Sequence, residues 1–247
     1  MFRLLIWFFC APFFFSFSQE NKGNSYVDVN YFKGYVPLHN PDILHLIKGR
    51  PEGTLIAWNQ RTDGQKEWHR HYNYPDYGTS FMFQDFQNPV LGKAYGFYGH
   101  FNFYFLKRRM MLRVGQGVVI SSNPYDKNSN PKNIAFGSKL LASPYLMLNY
   151  KKSNLIGPLG IQSGLLLFHA SNGNIKAPNT SVNTIAFNIG LNYDLGSKEI
   201  IPEYLPEEVF ISEGLKINLV FRSGLNQISV VGGSQFPFYT FSVYADK

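Results

Sequence analysis

The sequence predicts an all-β protein, an antiparallel β-barrel that crosses a membrane with at least eight strands. Three observations predict it. Long stretches alternate apolar and polar residues with period two, the period of a strand. Aromatic residues make up 17% of the chain and charged residues only 16%, so there are many rings to sit at a membrane interface and few charges to dissolve a surface. After the first residues no apolar run is long enough for a membrane helix, and a barrel hides its hydrophobicity by alternating it.

In chain order, Met1 to Ser18 reads as a secretory signal peptide. Arg3 supplies the positive start, Leu4 to Phe15 the apolar run, and Ser16-Phe17-Ser18 the cleavage site, so the expected mature start is Gln19. The run is too short for a spanning helix. The only cysteine, Cys10, lies within it behind three large residues, Trp7-Phe8-Phe9, which does not suit a lipoprotein signal. The mature chain then carries no disulfide. Residues 19–53 show weak periodicity broken by Pro37, Pro41 and Pro51 and read as an extended N-terminal segment, leaving 54–247 as the barrel domain.

Within that domain the expected strands are Thr54 to Arg61, Thr79 to Phe86, Ala94 to Phe105, Met110 to Ser121, Ser138 to Tyr150, Gly160 to Ser171, Asn183 to Leu195, Leu215 to Arg222 and Phe238 to Ala245. Pro144 inside one of them demands a bulge or an unpaired position. Lys107-Arg108-Arg109 makes a tight basic turn, and the Asn- and Pro-rich stretch Ser122 to Gly137 a long loop. The count comes to about nine, whereas bacterial barrels have even numbers. The reading is therefore of one misplaced strand, or of a chain truncated at its C-terminus with strands still to come.

Two strands carry the chemistry. The first puts Ile161, Ser163, Leu165, Leu167, His169 and Ser171 on one face; the second puts Asn183, Ile185, Phe187, Ile189, Leu191 and Tyr193 on one face. By parity His169 and Ser171 share the apolar, lipid-facing side. Two positions apart on a strand, they sit about 6–7 Å apart at the backbone, close enough for the side chains to lean together. Ser171 is a candidate nucleophile and His169 its base, since a serine at its own pKa needs one. Asn172 and Gly173, where the strand opens into a loop, are candidate oxyanion donors. Equally, His and Ser at a strand end are common polar residues of a membrane interface. His69 and His71 form a weaker pair. No third ligand is in register and aromatics surround them, so no metal and no organic cofactor is expected.

These residues resemble a known family. His169-x-Ser171-Asn172 after an apolar strand, followed by Pro178-Asn179 and a second alternating strand, resembles the PagL-like lipid A 3-O-deacylase (acyloxyacyl hydrolase) family in its Bacteroidota form. Arg61-Thr62-x-Gly64, Trp68, Asn88-Pro89-x-Leu91-Gly92, Arg113-x-Gly115-x-Gly117, Asn123-Pro124-Tyr125-Asp126 and Asn130-Pro131-Lys132-Asn133 extend the resemblance over roughly Arg61 to Leu195. It implies an outer-membrane barrel whose lipid-facing His-x-Ser pair hydrolyses an acyl ester of lipid A, the anchor of lipopolysaccharide. In that family a Glu on the next strand orients the His. The matching position here is Asn183, and Asp194 falls on the opposite face. Two readings follow: Asn183 holds the imidazole through a neutral hydrogen bond, or the site is degenerate and the barrel is a structural subunit of an outer-membrane protein complex.

The net charge is +7, or +6 without Arg3. That balance suits the phosphates of lipid A, and equally a generally basic surface. Lys127, Lys132 and Lys176 fall in loops at the expected substrate side. Lys and Arg are scattered rather than clustered on a helix, so no nucleic acid is expected. A small porin-like channel fits least well, because the inward faces are rich in Gly, Tyr and Asn rather than charge.

Overall fold

The computed structural model describes residues 24–196, 214–228 and 230–246. Its core is a closed antiparallel barrel of eight strands in chain order. They are β1 (Ser25–Tyr35), β2 (Glu52–Gln60), β3 (Asp76–Asp85), β4 (Lys93–Phe105), β5 (Met110–Ser121), β6 (Leu140–Ile156), β7 (Leu159–Ala170) and β8 (Val182–Asp194). β8 closes on β1, from Tyr26 opposite Asp194 to Tyr35 opposite Ile185. Closure leaves no strand edge in the hydrocarbon, which is the condition for a sheet to span lipid. Large apolar side chains such as Phe97, Phe187, Ile189 and Leu191 stand exposed on the outer face, as a lipid-facing band requires.

Three expectations are corrected. The barrel begins at Ser25, so the described part of the expected N-terminal segment, residues 24–53, is not separate from it: it supplies β1, the loop after it and the first residues of β2. The alternation there was masked by the inward Asp28 and by prolines that all follow Tyr35. Second, the two last expected strands do occur, as β9 (Lys216–Gln227) and β10 (Gln235–Asp246), but pair only with each other in a separate sheet. One strand gained and two removed turns nine into eight, so barrel closure calls for no strand after Asp194. Third, the barrel proper ends at Asp194 rather than at residue 247. The expected signal peptide lies outside the described residues.

The lumen is filled in two layers. Towards the β7–β8 loop it is apolar: Ile43 and Leu46 of a short 3-10 helix (Pro41–Leu46) pack with Phe86, Leu91, Phe136 and Phe168. Towards the other rim it is polar. Arg113 is fully buried and donates from both guanidinium nitrogens to Asp28 at 3.1 and 2.7 Å, with further bonds to Asn102 and Asn59. Such a charge is tolerable in a dry interior only because it is paired and fully hydrogen-bonded. Arg61 and Asp194 make a second bidentate pair at that rim. The Arg113-x-Gly115-x-Gly117 run has a packing reason. A Cβ on Gly115 would lie 2.1 Å from the Tyr145 ring, and one on Gly117 would meet Tyr98. The two rings then stack edge to face, 4.8 Å apart.

Candidate active site

His169 and Asn183 are direct partners in the β7–β8 ladder. Their inward neighbours Phe168, Ala170, Val182 and Thr184 are buried, while both of them are half-exposed on the outer face. The cross-strand pair brings His169 Nδ1 to 2.7 Å from Asn183 Oδ1. An amide oxygen only accepts, so Nδ1 carries the proton and Nε2 keeps its lone pair. That is the tautomer a base needs.

The backbone under His169 is shaped by proline. In the β6–β7 register Ala142 exchanges both backbone bonds with Ser171, at 2.7 and 3.1 Å. Tyr145 pairs with Phe168, so Pro144 sits opposite His169, where the next N–H donor should be. Pro144 has none. The Ser143 hydroxyl donates to the orphaned His169 carbonyl instead, at 2.6 Å. The requirement for an unpaired proline is met, beside the catalytic candidate.

Ser171 lies one residue past β7, bridged to Ala142 and half-buried on the same outer face. Its Oγ receives Asn179 Nδ2 at 2.9 Å and the Gly173 N–H at 3.1 Å. It donates to Asn179 Oδ1 over a longer 3.3 Å. Among the described contacts Ser171 is thus engaged by Asn179 and not by His169. Asn179 Oδ1 also accepts the Asn172 N–H at 3.0 Å, and its second Nδ2 proton goes to Asn174 Oδ1 at 2.9 Å.

Of the two expected donors, Gly173 has its N–H on the Ser171 Oγ, whereas neither amide group of Asn172 points at it. Asn172 is buried, its amide N–H is spent on Asn179 and its Nδ2 donates to the Lys176 carbonyl at 2.6 Å. It braces the loop, and the side-chain amide beside Ser171 is that of Asn179 instead. Asn179 belongs to the Pro178-Asn179 motif, whose sequence shows no link to Ser171. It reaches Ser171 only because the loop folds back, which no periodicity reports.

Lys127, Lys132 and Lys176 are exposed on loops of this same rim. Asp126, beside Lys176, has its carboxyl held below the ordinary range by the Ser129 and Asn128 amides. The other motif asparagines are loop staples: Asn123, Asn130 and Asn133 all donate to the Val90 carbonyl. On the lipid side of His169 lies a shallow groove of about 330 Å³ lined by Pro37, Pro144, Leu146, Leu167 and Asn183. His69 and His71 lie on a short helix (Glu67–His71) between β2 and β3 at the opposite rim, and no metal-binding cluster occurs among the described residues.

A closed eight-stranded barrel with a polar constellation on its outer face defines an outer-membrane barrel protein. The family model for lipid A 3-O-deacylase (PagL) matches residues 52–192, more than half of the chain, and the protein belongs to that family. Among solved structures, the outer-membrane enzyme PagL is similar at 17% identity and a TM-score of 0.43, over 66% of this chain and 97% of that one. Neisserial surface protein A is similar at 12% identity and a TM-score of 0.42, over 69% and 96%. No curated protein matches the chain.

Proposed function

We propose that the protein is an outer-membrane serine esterase that removes the 3-O-linked acyl chain of lipid A. The observation that carries this reading is the outward His169–Asn183 pair, at 2.7 Å, beside a serine whose Oγ meets two N–H donors. Ser171 Oγ attacks the ester carbonyl while His169 Nε2 takes its proton. For this Oγ gives up its 3.3 Å contact with Asn179 Oδ1 and turns to His169, a tightening common on substrate binding. The carbonyl oxygen becomes an oxyanion, and Asn179 Nδ2 and the Gly173 N–H, which hold Oγ at rest, shift to it as Oγ bonds to carbon. Collapse breaks the bond to the sugar oxygen, which takes the proton from His169 and leaves as the hydroxyl. Water, activated by the same His169, then releases the fatty acid and frees Ser171.

The acyl chain has a path. Below His169 the outer face continues through Leu167 and Leu165, both exposed to lipid. In this reading Lys127, Lys132 and Lys176, exposed on the same rim, meet the lipid A phosphates. Such contacts contribute about 1 kcal/mol each near an anionic surface.

The test is mass spectrometry of lipid A from cells with and without the protein. Loss of one ester-linked acyl chain is expected with the native chain and not with Ser171→Ala at equal barrel yield. A second reading, a catalytically degenerate subunit of an outer-membrane complex, is favoured by the neutral Asn183 beside His169, where the family resemblance implies a carboxylate. Unchanged lipid A together with stoichiometric copurifying partners would support it.

A further inference from the structure

We propose that the β9–β10 hairpin is a positioning element of this site, acting through Gln227 and Gln235 on the loop that carries the oxyanion donors. The inference rests on the esterase reading above. The hairpin lies beyond the 52–192 family region and forms no ladder with the barrel. Its tip nonetheless grips the β7–β8 loop. The Gln227 N–H donates to the Asn174 carbonyl at 2.8 Å, and Gln227 Oε1 accepts the Ala177 N–H at 2.6 Å. Gln235 Nε2 donates to the Ile175 carbonyl at 2.6 Å. Gln227 is itself buried and fixed, with its Nε2 on the Gly233 carbonyl at 2.7 Å.

The gripped residues lie one step from the nucleophile. The Asn174 side chain accepts from Asn179 Nδ2, the same amide nitrogen that donates to Ser171 Oγ. The Lys176 carbonyl, between gripped Ile175 and Ala177, is held by Asn172, whose N–H fixes Asn179 Oδ1. The far side of the loop has its own brace, since Thr180 donates to the Ile134 carbonyl through both N–H and Oγ1 at 3.1 Å. The near side, Asn174 to Lys176, is exposed, and the hairpin supplies what the barrel does not. Gly173 and Asn174 both have positive φ, +63° and +62°. Gly and Asn take such a φ readily, so the bend itself is unstrained, and where the loop sits is set by its contacts. Freed, it would let Asn179 drift, and small misplacements of a donor are costly in rate.

The test uses the full chain inserted in lipid vesicles, with lipid A as substrate. Gln227→Met keeps the side-chain length and removes both polar ends; Gln227→Glu keeps the acceptor for the Ala177 N–H. Insertion is checked by heat-modifiable gel migration, and Gln235→Met serves as a milder variant that removes one contact. Gln227→Met is expected to speed amide exchange at Ala177 and to lower kcat about tenfold with KM little changed. Gln227→Glu is expected to restore both in large part. Unchanged Ala177 exchange, or faster exchange with unchanged kcat, overturns the proposal. If the native chain does not turn over lipid A, the esterase reading and with it the catalytic role of the hairpin fall. Ala177 exchange then still shows whether the tip grips the loop.

Discussion

At the residue scale the site turns on one substitution of charge. Asn183 fixes the His169 tautomer at 2.7 Å, but in the proposed mechanism a neutral amide would not stabilise the imidazolium formed on attack by Ser171. Asn183→Glu, which brings in the family's carboxylate, is therefore expected to raise kcat by about tenfold or more, with KM little changed. Initial rates on purified lipid A measure it; a fall in kcat would mean that the shorter amide is matched to this site. Parity alone placed His169, Ser171 and Asn183 on the lipid side, because a strand has only two faces. Asn179 was illegible, since it approaches Ser171 across a loop whose path is set by Asn172, Asn174 and Thr180.

At the scale of elements, the β6–β7 ladder is repaired beside His169 by a side chain. Ser143→Ala leaves the His169 carbonyl without its 2.6 Å donor and is expected to cost about 1–3 kcal/mol. Pro144→Ala restores a backbone N–H at that position, so the Ser143→Ala/Pro144→Ala double variant should recover part of the loss. Urea midpoints of the vesicle-inserted protein measure this, and a double variant no more stable than Ser143→Ala would show that the ladder does not reform. The same scale explains the misread elements. Period two reports that a residue run is a strand but not what it pairs with, so β9 and β10 read as barrel strands. β1 was obscured by Asp28, whose inward charge looks like a loop residue until Arg113 is seen opposite it.

At the scale of the whole molecule, a filled lumen and a working outer surface divide the tasks. Arg113→Leu strands the buried Asp28 carboxylate and is expected to cost about 3–5 kcal/mol, seen as a lower urea midpoint or a lost folded band on a gel. Planar-bilayer recordings of the native protein should show no conductance steps, since the inward side chains are buried. For the surface, replacing Lys127, Lys132 and Lys176 by Ala is expected to slow lipid A turnover at low salt, with the loss fading as salt screens the rim. The control set is Lys107 and Arg109, exposed at the opposite rim. Arg108 is excluded from it because it is built into the fold. It donates to Asp76 at 2.8 Å and to the Tyr74 carbonyl at 2.8 Å, and stacks 3.7 Å over Tyr104. Equal loss from both sets would remove the case for lysine recognition of phosphate.

The sequence by itself determined the barrel class, the lipid-facing side of the site and the sharing of one rim by His169, Ser171 and the three lysines. Each follows from a period of two and from hairpins that alternate ends. Only the tertiary structure decided which strands close the barrel, because closure depends on β8 finding β1 across the whole chain rather than on either strand's pattern. It also decided which amide faces Ser171. Loop residues have no period, and the positions of Asn179 and of the Gln227 contact are set by hydrogen bonds between segments distant in sequence.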